Sequence, residues 1–176
     1  MATALFIKRE DIVRNSIIDG NLDTDKVIQF IKIAQEMHIK NFLGSALYDK
    51  ISADIITGTL SGNYLSLVND FIQPMLIHFA MVDYLPFASY ELKNGGLFKH
   101  RSENSENPSK EEVDFLTQKH RNFADFYTRR FIDYMCFNNN LYPEYNNTTN
   151  DDMYPDKNAN FVGWVFTLTT LITLVL

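Results

Sequence analysis

A long helical pattern that begins just after Pro108 constrains the fold of this chain more than any other feature. Ser109 and Glu112 have the spacing of a capping box, in which each side chain accepts a hydrogen bond from a backbone N–H at the helix start. The apolar residues that follow recur at intervals of three and four, as on one helix face. They are Val113, Leu116, Phe123, Tyr127, Phe131 and Tyr134. The pattern predicts an amphipathic helix that runs to about Phe137.

Two earlier segments show the same periodicity. The first begins at Asp23 or Thr24, either of which can cap a helix, and ends near Gly44. We expect Gly44 to take the left-handed conformation that favours glycine, and Ser45 to cap a second, shorter helix. That helix stops at Gly58. The two segments predict a helical hairpin.

A third segment begins near Ser61 and becomes apolar on nearly every side by Phe87, which predicts the central and most buried helix. Pro74 and Pro86 lie inside it, and proline lacks a backbone N–H and crowds the preceding turn. We therefore expect a kink or a break at each proline. The sequence predicts an all-α fold, a helical bundle of about four helices.

The organisation along the chain is that of one domain with long appendages, since compact domains mostly contain roughly 100 to 200 residues. Residues 5–7 are an apolar run typical of an extended arm or a brief strand. Ordered helix is expected only after a turn at residues 19–21. We divide the sequence into an N-terminal arm (1–22), a helical bundle domain (23–137), an Asn-rich extended segment (138–160) and an apolar tail (161–176).

The apolar tail, residues 161–176, contains no charged side chain. As a helix it would span about 24 Å, which is shorter than the roughly 30 Å hydrocarbon core of a bilayer. Its threonine, valine and isoleucine residues favour a strand, and such a strand can join the sheet edge of a neighbour. We interpret the tail as a contact with another subunit or partner.

Composition excludes several classes of function. A net charge of −6 argues against a protein that coats nucleic acid, because that task needs many cations to neutralise phosphates. The single cysteine, Cys136, forms no intramolecular disulfide and fits a reducing cytoplasm. The first ten residues lack the apolar core of a signal peptide, so we expect mature sequence from the start.

No catalytic or metal centre is predicted. The four histidines, His38, His78, His100 and His120, lie in separate segments, and none has another histidine or a cysteine three or four residues away. Asp83 follows His78 by five residues, which places it about 140° around a helix. We expect no cofactor, no metal and no enzyme activity.

Cations and aromatic residues alternate along the fourth predicted helix. Lys119, His120, Arg121, Arg129 and Arg130 are interspersed with Phe123, Phe126 and Tyr127, a mixture also found in nucleic-acid-binding proteins. Asp114, Asp125 and Asp133 dilute the positive charge. The pattern favours a solvated helix face, or salt bridges to a neighbouring subunit, over direct readout of nucleic acid.

An ordered set of short motifs between about residues 5 and 146 resembles a known family. The motifs are Asp19-Gly20-Asn21-Leu22-Asp23, Ala34-Gln35-Glu36-Met37-His38-Ile39, Leu43-Gly44 with Leu47-Tyr48, Tyr64 with Leu67, Ile72-Gln73-Pro74, Asn94-Gly95-Gly96 and Tyr142-Pro143-Glu144-Tyr145. Together they resemble the head-to-tail connector proteins of tailed bacteriophages, most closely the adaptor or ring proteins of crAss-like phages.

The resemblance implies a structural virion protein of the phage neck. It implies a helical bundle repeated around an axis, usually as a dodecameric ring, that joins the portal and capsid to the tail and lets DNA pass. The implied partners are further copies of itself, the portal protein and other neck or tail proteins, with DNA present only as the passing genome and without a membrane. The implied location is the virion, after assembly in the host cytoplasm.

Ring assembly uses heterologous interfaces, in which arms and loops commonly reach the next subunit. The N-terminal arm, the loop after residue 93 and the segment beyond residue 138 are the candidates. The predicted interface residues are Leu5, Phe6, Ile7, Asn94, Gly95, Gly96, Tyr142, Pro143, Tyr145, Phe161, Val162, Trp164 and Phe166.

Two other functional classes fit the sequence. One is a tail-anchored membrane protein that inserts residues 161–176. The other is a small helical enzyme or ligand-binding module that uses Asp83 and His78, which requires a pocket between the third and fourth helices.

Overall fold

The structure is a computed structural model that describes residues 4–16, 24–88, 90–93, 96–99, 108–146 and 152–157. The α-helices are α1 (Arg9–Asn15), α2 (Thr24–Ala34), α3 (Lys40–Thr57), α4 (Gly62–Leu67), α5 (Gln73–Tyr84) and α6 (Lys110–Asn138). A first π turn (Gln35–Ile39) joins α2 to α3, and a second π turn (Val68–Ile72) joins α4 to α5. Short 3-10 turns occupy Leu85–Phe87, Asn139–Leu141 and Pro143–Asn146, and strands β1 and β2 span Tyr90–Lys93 and Gly96–Lys99.

Helix α5 is the centre of the bundle, because α2 and α6 both pack against it. Met75, Leu76 and Phe79 are among its buried side chains. The predicted all-α helical bundle is confirmed, and so is the prediction that the third segment is the most deeply buried. The helical run Gly62–Phe87 is long and apolar enough to cross a membrane, but 56% of its apolar window is buried inside the bundle.

The two prolines of the central segment change the type of helix without breaking the run. Pro74 lies in the first turn of α5, directly after the second π turn. Pro86 lies in the 3-10 turn that ends the run. The wider π turn takes up one additional residue, which is how the chain accommodates the proline.

The break at Gly44 is confirmed, but its surroundings differ from the prediction. Gly44 has φ 71° and ψ 160°, outside the helical region, while Gly58 takes the left-handed conformation at the end of α3. Ser45 does not cap the following helix, because its hydroxyl bonds to Asp152 instead. The predicted helical hairpin is also wrong, since α2 packs against α5 and α3 packs against the Pro143–Asn146 turn.

Helix α6 follows the sequence prediction closely. The capping box is present, with the Ser109 hydroxyl accepting from the Glu112 N–H at 3.2 Å and the Glu112 carboxylate accepting from the Ser109 N–H at 2.7 Å. The helix ends at Asn138, one residue beyond the predicted end. Phe131 and Met135 are buried in the core.

One helix and one pair of strands were not predicted. Helix α1 precedes the turn after which ordered helix was expected, and the Asp11 carboxylate accepts from the Lys8 N–H at 2.7 Å to cap it. Strands β1 and β2 pair antiparallel, with Tyr90 opposite Lys99 and Lys93 opposite Gly96. The predicted turn at residues 19–21 lies outside the described residues.

Candidate interaction surfaces

Four of the predicted interface residues lie in the core of the chain. Phe6, Ile7, Tyr142 and Tyr145 are each at most 3% exposed. They present almost no surface to a neighbour, and we therefore reassign them from the interface to the core. Leu5 is half-buried, Pro143 is exposed and Gly96 begins β2. Asn94, Gly95, Phe161, Val162, Trp164 and Phe166 lie outside the described residues, as does the apolar tail.

The N-terminal arm is held by a buried glutamine. Gln35 is 1% exposed, and its Oε1 accepts from the Phe6 N–H at 3.0 Å. Its Nε2 donates to the Ala4 carbonyl and to the Tyr48 hydroxyl, both at 2.9 Å. The Tyr48 hydroxyl in turn donates to the Glu36 carboxylate at 2.8 Å. We call this set of contacts the glutamine anchor.

Burial accounts for the chemistry of the glutamine anchor. The ring of Tyr48 packs on Phe6, with the ring centroids 5.2 Å apart. Burial raises the pKa of the Tyr48 hydroxyl to about 12, and the neighbouring Glu36 carboxylate adds to the shift. Tyr48 is therefore a neutral hydrogen-bonding group at physiological pH, and the anchor is a structural contact.

Residues 152–157, which we call the strap, cross α3 at the Gly44 break. The Ser45 N–H donates to the Met153 carbonyl and the Asp156 N–H donates to the Asn41 carbonyl, both at 2.9 Å. A Cβ atom on Gly44 would lie 2.7 Å from the ring of Pro155. The absence of a side chain at Gly44 is what allows the strap to approach this closely.

An ion pair and a hydrogen bond hold the first residue of the strap, Asp152, on α3. Lys40 Nζ lies 3.0 Å from Asp152 Oδ2, and the Ser45 hydroxyl donates to the same carboxylate at 2.6 Å. These two partners lower the pKa of the Asp152 carboxyl. The hydrogen bond to Asp152 is the main cause that raises the pKa of Lys40, and the negative charges of Glu36 and Asp49 add to it.

A tyrosine cluster joins the start of α4 to the end of α6. The hydroxyls of Tyr134 and Tyr142 lie 3.0 Å apart, and the Tyr142 hydroxyl donates to the Asn63 carbonyl at 3.2 Å. Tyr64 donates to the Glu144 carboxylate at 2.6 Å. Burial raises the pKa of Tyr142 above its ordinary range and that of Tyr64 to about 12. Tyr142, expected at an interface, is a fixed part of this internal cluster.

Helix packing brings together two histidines, His78 and His120, that are far apart in the sequence. His78 of α5 and His120 of α6 face each other, with their Nδ1 atoms 3.1 Å apart. Burial lowers the pKa of both rings, and the neighbouring His120 lowers that of His78 further, to about 4. Both rings are neutral at physiological pH, so one nitrogen donates and the other accepts.

Asp83 faces His38 instead of His78. His38 Nε2 lies 3.3 Å from Asp83 Oδ2, and the His38 ring stacks on Phe79 at a centroid distance of 4.2 Å. This contact joins the first π turn to α5. The module that would use Asp83 and His78 together therefore lacks its pair of residues, since each packs with a different histidine.

A cavity with a volume of about 240 Å³ lies next to His78. Asp11, Asn15, Gln73 and Tyr127 line it, but Asp83 does not. Among the described residues, no three His, Cys, Asp or Glu side chains are close enough together to hold a metal ion. Helix α1 contributes the Asp11 carboxylate and the Asn15 amide to this lining, and the Gln73 amide comes from α5.

The outer face of α6 carries an exposed row of aromatic residues. Phe115, Phe126 and Phe137 are 61%, 62% and 86% exposed, so most of each ring is open to solvent. They are eleven residues apart, close to three helical turns, which aligns them in one stripe about 33 Å long. We call this stripe the phenylalanine face. The opposite side of α6 is buried, which leaves the phenylalanine face without a partner inside the described part of the chain.

A family model described as a family of unknown function, DUF6712, matches residues 39–153, well over half of the chain. The chain belongs to the DUF6712 family. No curated protein and no solved structure gives a significant match.

The region matched by the DUF6712 model begins in the first π turn and ends inside the strap. It contains the Gly44 break, Tyr48, the His78 and His120 pair and all of α6. Sequence reasoning placed no functional weight on Gln35, Gly44 and Tyr48 beyond their part in the resemblance. Gln35 and Gly44 contact segments that lie far away along the chain, so no local pattern in the sequence marks these contacts.

Proposed function

We propose that this chain is a structural protein of the bacteriophage neck, a subunit of an oligomeric ring that joins the portal and capsid to the tail and lets DNA pass. In this role the protein acts through its surfaces and not through a catalytic centre. Its partners are further copies of itself, the portal protein and other neck or tail proteins. The ring belongs to the virion and assembles in the host cytoplasm.

The proposal rests on what Gln35, Gly44 and Tyr48 do. These residues belong to the motifs that resemble connector proteins, and they hold the N-terminal arm and the strap on one helical body. A subunit that must present defined surfaces to several neighbours needs its appendages fixed in this way. Fixing them beforehand lowers the entropic cost of assembly.

Charge supports the same role. The net charge of −6 does not favour tight binding of phosphates, which suits a ring through which a genome must slide. The phenylalanine face adds an exposed apolar surface, and such surfaces commonly mark contacts with other proteins. Both features are expected of a ring subunit that contacts protein at its sides and DNA only in passing.

Native mass spectrometry of the purified chain, alone and mixed with the portal protein encoded in the same phage genome, tests the proposal. We expect a closed oligomer, on portal or alone, with several copies of the chain. A chain that stays monomeric and ignores portal overturns the proposed function. Electron microscopy of the mixture then gives the symmetry of the ring.

A further inference from the structure

We propose that the cavity beside His78 binds the guanidinium group of an arginine side chain from a partner protein. This binding goes beyond the proposed function and does not require the ring. The cavity, which we call the α1 cleft, lies where α1 and the second π turn meet α5 and α6. The polar side chains that line it are Asp11, Asn15, Asn69, Gln73, His78 and Tyr127.

The size and position of the α1 cleft suit one side chain of another protein. Its volume of about 240 Å³ is below the roughly 300 to 1,000 Å³ of pockets that hold drug-sized ligands. Asn15 and Asn69 are exposed, so the cleft is open to solvent, while Ile77, which also lines it, is buried. A side chain that projects from a protein surface can enter such a cleft. Arginine is among the residues that contribute most of the binding energy when they do so.

Two amides of the α1 cleft have their donor ends engaged by the protein. Asn15 Nδ2 donates to the Asp11 carbonyl at 2.8 Å, and Gln73 Nε2 donates to the Phe6 carbonyl at 3.1 Å. A carbonyl can only accept, so these contacts fix which end of each amide faces the backbone. The oxygen of each amide is left to accept a hydrogen bond from a ligand. The cleft therefore favours a ligand that donates several hydrogen bonds.

Asp11 gives the α1 cleft a negative charge. Its Oδ2 accepts from the Lys8 backbone N–H at 2.7 Å, and no salt bridge among the described residues involves Asp11. Arg9 and Arg14, the cations of α1, do not line the cleft, and Asp11 is the one charged side chain among the described residues that do. A carboxylate without a cationic partner attracts a cation, and the hydrogen bonds between an arginine and a carboxylate are stronger than those between neutral groups.

Two rings complete the lining of the α1 cleft. The rings of His78 and Tyr127 are close to parallel, with their centroids 5.6 Å apart. Burial and the neighbouring His120 lower the pKa of His78 to about 4, so its ring is neutral at physiological pH and does not repel a cation. A guanidinium stacks on aromatic rings while its N–H groups bond to oxygen atoms, and Tyr127 supplies both a ring and a hydroxyl oxygen.

Calcium and lysine are the competing cations. Calcium takes roughly six to eight oxygen ligands, and its strong sites contain several carboxylates, whereas the α1 cleft has one. The ammonium of lysine is a compact point charge, whereas the guanidinium of arginine is a planar group with N–H donors on three sides. The acceptors of the cleft are spread over α1, α5 and α6, which matches the wider group.

Methyl NMR of the full chain tests the inference, because the Ile77 methyl signal reports on the α1 cleft in a monomer or in a large ring. The probe is Nα-acetylarginine N-methylamide, which carries the side chain on an uncharged backbone. We expect a saturable shift of the Ile77 signal, with a Kd on the order of 1 mM for so small a ligand. The citrulline analogue has the same shape without the charge and should bind about ten-fold more weakly. No saturable shift, or equal binding of the two analogues, overturns the inference.

Asp11→Asn tests the site from the side of the protein, and Glu10→Gln is its matched control. Both variants remove one negative charge from α1, but Glu10 does not line the α1 cleft. Asparagine keeps an oxygen for the Lys8 N–H, and circular dichroism checks that both variants are folded. We expect Asp11→Asn to raise the Kd of the arginine probe about ten-fold, and Glu10→Gln to leave it within about two-fold, because solvent and salt screen a distant charge. Equal effects of the two variants contradict a contact with Asp11.

Free L-arginine separates a protein partner from a small-molecule ligand. Its side chain is the same as that of the probe, so a similar Kd supports a site for the side chain alone. A Kd about a hundred-fold lower or more means that the cleft also binds the α-amino and α-carboxyl groups, and it overturns the protein partner. The mass of the assembly tests the proposed function and this titration tests the cleft, so the failure of one is distinguished from the failure of the other.

Discussion

The glutamine anchor holds the N-terminal arm on the helical body, and the contacts of the strap hold residues 152–157 there, but the two use different chemistry. Gln35 is buried and holds the N-terminal arm through three neutral hydrogen bonds. The strap lies at the surface, where it is held by backbone hydrogen bonds, an exposed ion pair and the close approach of Pro155 to Gly44. A buried polar network is costly to break, whereas a surface contact opens easily. The arm is thus part of the core, and the strap is an attachment to it.

The largest expected effect is that of Gln35→Leu. Leucine leaves the Phe6 N–H and the Ala4 carbonyl without their partner and removes the bond that the Tyr48 hydroxyl accepts, and each buried polar group left unpaired costs about 1 to 3 kcal/mol. We expect the free energy of unfolding in urea to fall by about 3 kcal/mol or more. Gln73→Leu is the control, because Gln73 makes one bond to the arm, from Nε2 to the Phe6 carbonyl at 3.1 Å. Equal losses for the two variants would contradict the central role of Gln35.

Gly44→Ala should have the next largest effect, and it acts on the strap. The new Cβ would meet Pro155 at 2.7 Å and would force a non-glycine residue into a positive φ of 71°. We expect a loss of about 2 kcal/mol of stability, from backbone strain and from release of the strap. Limited proteolysis should then cut residues 152–157 much faster than in the wild-type chain.

Gly58→Ala separates the two contributions to the Gly44 result. Gly58 also has a positive φ, of 70°, but no atom lies within 4 Å of its added Cβ. This variant carries the backbone strain alone, roughly 1 kcal/mol, and leaves the strap protected from protease. Rapid cleavage of the strap in Gly58→Ala would mean that the contact between Gly44 and Pro155 does not hold it.

Asp152→Asn should have the smallest effect. Asparagine keeps an oxygen for the Ser45 hydroxyl and removes only the charge that faces Lys40. Because the folded state lowers the pKa of Asp152, its stabilising contribution is present above the ordinary pKa of 3.8 and is lost as the pH falls through the lower folded value. Proteolysis of the strap should therefore respond weakly to the variant at neutral pH. High salt should remove even that difference.

The elements that could be predicted from the sequence are those fixed by interactions between residues close together in the chain. The capping box of Ser109 and Glu112 gives the start of α6, and Gly58 gives the end of α3. The apolar run of α5 predicts its central position. In each case the deciding interaction lies within four residues along the chain, or in a periodicity that one helix displays by itself.

Contacts between distant segments account for most of what the sequence did not predict. His78 meets His120 only because α5 and α6 pack side by side, and Asp83 meets His38 through the first π turn. A π turn adds one residue and rotates every later side chain, which simple helical spacing does not anticipate. The burial of Phe6 likewise follows from a glutamine 29 residues away. Such partners become visible only when the fold is known.

The strap also sets an order of events during synthesis. The Ser45 hydroxyl bonds to the backbone of Met153, which lies 108 residues further along the chain. The Gly44 break, which we call the notch, leaves the ribosome long before Pro155 does. Contacts between residues this distant in sequence form late in folding. A nascent chain thus carries an open notch until residues 152–157 have been made. Closure of that notch marks a chain whose bundle has been made in full.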